Sequence, residues 1–239
     1  MNLLTLVQTF CQRTGINVPT QVVGSTDPQV IQLLALLNEV VEDIVDRKQD
    51  GWQELQLEAT FTTVAAEIQG SLTTIAPFGF VSIINDTIYN RSQRLQAFGP
   101  LTPQEYQYQK SVVATGPFYQ YRLQNNQIHL FPVPPAGETY AFEYLSTYAV
   151  VAVDGTTFKA YFSADTDTFR LDERLLLRGL RWKWKKEKGL EYDEEFREFE
   201  DRLANASGRN KTNTLINMAQ GQPQIKPGVF IPSGNWNLP

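Results

Sequence analysis

The chain holds one histidine, His129, and one cysteine, Cys11. A Ser-His-Asp or Cys-His mechanism would have to run through that histidine, because an activated nucleophile needs a base beside it. His129 stands within IHLF, residues 128–131, a run that reads as a strand apolar on both sides. A lone histidine in such a run is expected to be a hydrogen-bonded structural residue. Cys11 falls on the apolar face of the first helical stretch and is expected to be a small buried hydrophobe. One cysteine rules out an internal disulfide and cannot by itself build a zinc site. Asp165 and Asp167 alternate as in a calcium loop, but the required glycine and distal bidentate glutamate are not at their places, so they read as loop and capping residues. Glycine-rich phosphate loops, HExxH and paired CxxC motifs are all missing from the sequence. The residues thus give no catalytic residue, no metal ligand and no cofactor site.

A different chemistry is suggested by GLRWKWKKEKGLEYDEEFREFE, residues 179–200, where two tryptophans sit in a burst of cations and a burst of acids follows. Lys and Arg beside aromatics can hold phosphates and stack on bases. On a helix, however, Arg181, Lys183, Lys185, Lys186 and Lys188 crowd the last turns, where cations offset the negative end of the dipole. Asp193, Glu194 and Glu195 open the next helix and complement its positive end in the same way. Phosphate binding also needs cations unopposed by nearby anions, and here the anions stand one turn away. Both charge bursts are therefore expected to be architecture. The net charge of −5, from 21 Lys and Arg against 26 Asp and Glu, likewise argues against a specialised DNA binder.

The elements that position these residues follow from periodicity. Leu3, Leu6, Val7 and Phe10 keep helical spacing, and Gly15 ends the segment. Asp27 caps a second helix with Pro28 at its first position, and Val30, Leu33, Leu34, Leu37, Val40, Val41 and Ile44 form its stripe. From Gly51 the texture changes to alternation: Leu55, Leu57, Ala59 and Phe61 predict a strand. Tyr119, Tyr121 and Leu123, the turn pair Asn125-Asn126, and residues 128–131 predict a hairpin. Tyr140, Phe142 and Tyr144 give another strand, and Asp154-Gly155 a tight turn. Thr102, Pro103 and Glu105 spell a capped short helix. Asp172 caps LLLRGLRWKWKKEK, in which Leu176, Leu180 and Trp184 share one face and Leu175, Gly179 and Trp182 a neighbouring one. Tyr192, Phe196, Phe199 and Leu203 mark the last helix. The N-terminus lacks a basic leader and reads as folded structure, and no apolar run approaches the roughly 20 residues of a membrane span.

Several stretches taken together, GSTDPQVIQLLALLNEVVEDI (residues 24–44), INDTIYNR (84–91), FGPLTPQEY (98–106) and TDTFRLDERLLLRGLRWKWKKEKGLEYDEEFREFE (166–200), resemble the head-to-tail adaptor proteins of tailed bacteriophages, the short-tailed type above all. The resemblance extends to about residue 209. It implies a structural, non-enzymatic virion protein at the head-tail junction, assembled in the host cytoplasm. It further implies a ring, commonly of twelve copies, that joins the portal to a tail nozzle or tail tube protein and continues the channel for double-stranded DNA. An α+β fold is expected: a helical bundle of residues 1–50 and 166–210, an antiparallel β-rich insertion over 51–165, and an extended C-terminal arm over 211–239. The alternatives are a phage DNA-binding accessory factor using the Lys/Trp helix over 180–188, and an enzyme such as a lysin or nuclease, which the missing acid/base constellation disfavours.

The arm is polar and rich in Pro and Gly, so it cannot build its own core, yet it keeps Val229, Phe230, Ile231, Trp236 and Leu238. Such segments order by laying apolar anchors into a partner's grooves, with Trp dominating the energy. These five residues are expected to bind the portal or a neighbouring subunit.

Overall fold

The structure is a computed structural model that describes residues 1–48, 51–111 and 118–210. Six α-helices and three antiparallel sheets make up the described residues, an α+β fold. Helix α1 (Leu3–Thr14) starts at Asn2, whose side chain accepts from the Thr5 amide at 2.9 Å, and stops at Gly15 in the left-handed conformation. Helix α2 (Pro28–Asp46) has the expected Asp27 cap on the Gln29 amide. Its stripe differs in one member: Leu36 is buried, whereas Leu34 is only half-buried at the edge of the core. The four leucines at 33, 34, 36 and 37 are equally apolar, so the helix's rotation, set by its partner, decides between them.

Short helices α3 (Leu72–Ile75) and α4 (Pro103–Ser111) lie among the strands. At the start of α4, Glu105 accepts from the Thr102 amide at 2.8 Å while Thr102 accepts from the Glu105 amide, the reciprocal box expected there. Helices α5 (Glu173–Glu187, capped by Asp172) and α6 (Asp193–Arg209) close the described chain. Helix α5 touches α1, α2 and α6. Its approach to α2 is set at Gly179, where a Cβ would stand 2.4 Å from Val40 Cγ1, so only a residue without a side chain lets the two helices come so near.

In chain order the strands are β1 (Gln56–Thr62), β2 (Ile68–Ser71), β3 (Phe80–Ile83), β4 (Tyr89–Asn90), β5 (Leu95–Gln96), β6 (Gln120–Gln124), β7 (Gln127–Phe131), β8 (Thr139–Ser146), β9 (Val150–Val151), β10 (Phe158–Lys159) and β11 (Thr168–Phe169). β8 is the spine of the largest sheet. β1 lies along one edge in unbroken register, Gln56 opposite Leu145 through Thr62 opposite Thr139, and β3 and β4 pair elsewhere on β8, with β5 beyond β4. The second sheet runs β2-β7-β6, and its β6–β7 hairpin turns on Asn125 and Asn126 with φ of 52° and 57°, the left-handed pair a two-residue turn requires. The third, β10-β9-β11, contains the Asp154-Gly155 turn.

Two buried clusters result. One joins the inner faces of α1, α2, α5 and α6 and also takes in Trp52, Leu55, Ala149, Val150 and Phe162 from the strand-rich segment. The other fills the β half with Phe61, Ile88, Ile128, Leu130 and the rings of Tyr121, Tyr140, Phe142 and Tyr144. Phe61 stacks on Tyr140 at 5.6 Å between centroids. The phenols there are acids held in apolar surroundings, and burial pushes Tyr121 up to about 12. The unfolded chain would ionise Tyr121 near pH 10, so the native state holds its proton more tightly and this share of stability is present below pH ~10 and lost as pH rises toward ~12. Alkaline denaturation should therefore steepen above pH ~10, and Tyr121→Phe should remove on the order of 2 kcal/mol of that dependence. Unfolding free energies measured across this window check it.

Candidate interaction surfaces

The Lys/Trp segment forms the C-terminal half of α5, with Trp182 in the core and Trp184 half-buried against it. Trp182 is 9% exposed, and it meets Phe196 edge-on at 5.2 Å, with Phe199 at 6.1 Å and Tyr192 at 6.4 Å, all on α6 or its entry. Trp184 meets Phe10 of α1 edge-on at 5.9 Å. The cations are occupied within the protein. Lys185 and Arg181 both reach Glu195, whose carboxyl is held below its usual range chiefly by the Lys185 hydrogen bond. Lys188 donates to Gln32 at 2.8 Å, and Lys186 lies over the Trp182 ring. Lys183 goes further than the dipole argument anticipates. It is buried between α5 and α2, 3.0 Å from Glu39 and 2.5 Å from Asp43. A buried ammonium persists only with such partners, so this cation is a helix-helix fastener.

The other candidates for chemistry are also engaged by neighbouring groups. His129 Nδ1 lies 3.2 Å from the Tyr106 hydroxyl and 3.3 Å from the Glu67 carboxylate. Lys110 sits 3.0 Å from the same carboxylate, and the Arg122 guanidinium covers the Tyr106 ring. The group ties α4 to the β2-β7-β6 sheet. Among the described residues no hydroxyl other than that of Tyr106 hydrogen-bonds the imidazole. Asp165 accepts from the amides of Val22 and Val23, and Asp167, 1% exposed, accepts from the amides of Ser163 and Ala164 and pairs with Lys159 at 2.9 Å. Among the described residues no group of three or more His, Cys, Asp or Glu is arranged to hold a metal ion, and no helix is long and apolar enough to cross a membrane. Cys11 is buried, and desolvation pushes its thiol up, away from the reactive thiolate. Val229, Phe230, Ile231, Trp236 and Leu238, the expected partner-binding residues, lie outside the described residues.

One surface feature is not among the sequence expectations. A groove of about 300 Å³ opens between α1, α5 and α6. Phe10 and Leu177 contribute apolar lining, and Arg13, Arg174, Arg178, Arg181 and Arg202 give it cations. Three of these have partners: Arg178 on Glu198, Arg181 on Glu195 and Arg202 on Asp172. Arg13 and Arg174 are exposed and have no ion pair among the described residues. The signal in the sequence was the i, i+4, i+7 spacing of Arg174, Arg178 and Arg181, on the side of α5 opposite Gly179 and Lys183.

The arrangement defines a scaffold of helices and antiparallel sheets whose charged and aromatic residues are largely engaged in holding its own elements together. Its lineage is shown by comparison: the chain belongs to the SU10 adaptor protein family, whose model matches residues 1–225. It is thus a phage adaptor protein. A search of curated proteins gives no match. The expected arm anchors, from Val229 onward, fall past the matched residues.

Proposed function

We propose that this adaptor is a structural virion protein that forms a ring between the portal and the tail nozzle or tube and continues the DNA channel. It acts by binding other proteins and its own copies, with no catalytic step. The helices of both chain ends serve as one bundle that bears the ring contacts. The arm over 211–239 reaches the portal or a neighbouring subunit through Val229, Phe230, Ile231, Trp236 and Leu238. Family membership supports the adaptor role, and twelve copies is the number the resemblance suggests. The observation that carries the reading against a DNA-binding accessory factor is the fate of the 180–188 cations. Lys183 is buried on Glu39 and Asp43, and Lys185 is held by Glu195. A net charge of −5 also suits a wall that duplex DNA passes without sticking.

Gel-shift titration with duplex DNA tests it. Binding at physiological salt should be no tighter than the roughly 10⁻⁴–10⁻⁶ M of non-specific contacts, and Lys185→Gln with Lys186→Gln should change it little. Submicromolar binding with a steep salt slope, abolished by those substitutions, would favour the accessory factor.

A further inference from the structure

The arginine groove gathers five guanidiniums on one surface, and two of them, Arg13 and Arg174, make no ion pair among the described residues. Arg13 ends α1, where the helix dipole welcomes a positive charge. Arg174 sits in the first turn of α5, exposed beside the Asp172 cap, whose carboxyl it helps Arg202 hold below the usual range, and it makes no ion pair among the described residues. Two exposed guanidiniums without an ion pair among the described residues, beside the half-buried Leu177, make a receptor for a helix that carries an apolar residue followed by carboxylates.

The chain carries such a helix face. On α2, Ile31 is 52% exposed, and the exposed Glu42 and Asp46 follow it at helical spacing, with the half-buried Asn38 between Ile31 and Glu42 accepting the Phe162 amide at 3.0 Å. Glu42 accepts the Tyr161 hydroxyl, a neutral partner that leaves its charge in place. Neither Glu42 nor Asp46 has an ion pair among the described residues. The two surfaces lie on opposite sides of the helices. α2 packs on the Gly179 and Lys183 face of α5, whereas Arg174, Arg178 and Arg181 occupy the other face. Complementary patches on opposite sides of one subunit are what a head-to-tail contact needs, since the groove of one copy meets the far side of the next and the series can close by rotation.

We infer that the arginine groove between α1, α5 and α6 receives the exposed Ile31, Glu42 and Asp46 face of α2 from a second copy of this chain. This rests on the ring reading and assigns its contact surface.

Two charge-reversed variants test the inference: Arg13→Glu with Arg174→Glu in the groove, and Glu42→Lys with Asp46→Lys on α2. All four positions are exposed, so each variant should keep the wild-type circular dichroism, with only a small fall in unfolding midpoint where Arg13→Glu opposes the α1 dipole and Glu42→Lys loses the Tyr161 hydroxyl. Self-association is read by sedimentation velocity and by the copies retained on portal-bearing heads. Each variant alone should associate about a hundredfold more weakly than wild type, because like charges then face each other. Mixing the two should restore association, since every contact in the mixed series is again between opposite charges. Variants that associate as wild type does, or a phosphate-rich DNA ligand that competes for the groove while self-association is unchanged, would overturn the assignment and leave the ring standing. Failure of the wild-type chain to associate both alone and on heads would remove the ring reading and this assignment together.

Discussion

Trp182→Ala should lower the unfolding free energy by about 3–5 kcal/mol, the range for deleting a large buried aromatic. The side chain is enclosed by Tyr192, Phe196 and Phe199, and it fixes α6 on α5. Chemical denaturation would read the loss directly. Trp182→Phe is the informative control. The indole Nε1 is buried without a hydrogen-bond partner among the described residues, so the phenyl ring forfeits no hydrogen bond and leaves a smaller void. Its cost should stay below about 1.5 kcal/mol. If Trp182 were instead a platform for stacking bases, its removal would spare stability and weaken single-strand or duplex binding. That pair of results would contradict the architectural role of the whole segment.

Gly99→Ala should be comparably damaging in the β half, at about 3 kcal/mol or more. Residues 98–101 run beside β6, with the Phe98 amide on the Tyr119 carbonyl, the Tyr121 amide on the Phe98 carbonyl, and the Leu101 amide on the Tyr121 carbonyl, each at 2.9 Å. Gly99 holds φ of 150°, a conformation costing a side-chain-bearing residue about 1–3 kcal/mol. A Cβ there would also lie 2.5 Å from the Tyr121 carbonyl oxygen, which is backbone and cannot rotate away. The segment would have to part from β6, and α4, which follows it, would lose its anchorage on the sheet. Urea unfolding of the variant checks this. A change within about 0.5 kcal/mol, the range of an inert surface substitution, would show that the segment adapts freely.

The features legible in the sequence are those whose cause is local. Asp27 before Pro28, Asp172 before α5, and Thr102 with Glu105 announce helix starts because the orphaned amides lie within three residues. Asn125-Asn126 announces its hairpin because the turn conformation belongs to those two residues. What escaped the sequence depends on partners far along the chain. Lys183 looks like any cation of a last helical turn until α2 brings Glu39 and Asp43 against it. Leu36 displaces Leu34 in the core because the close contact of Val40 with Gly179 fixes the rotation of α2. Strands β9, β10 and β11 are two residues each, too short to show a period. The arginine groove needs three helices side by side, so only one of its walls, the 174, 178, 181 spacing, was written in a single segment.

The same distinction holds for function. The hydrogen-bonded state expected of His129, Asp165 and Asp167 from their types and spacing is seen, since each meets neighbouring groups. The docking surfaces are another matter, because an interface is a property of two molecules and its signature in one chain is only an unbalanced charge or an uncovered ring.

The most direct test of the adaptor account is electron microscopy of portal-bearing heads mixed with the purified full-length protein. The expected result is a ring of additional density seated on the portal vertex, coaxial with the channel and absent from heads lacking the portal. Heads that remain bare at saturating protein, or protein found along released DNA instead of at the vertex, would contradict it.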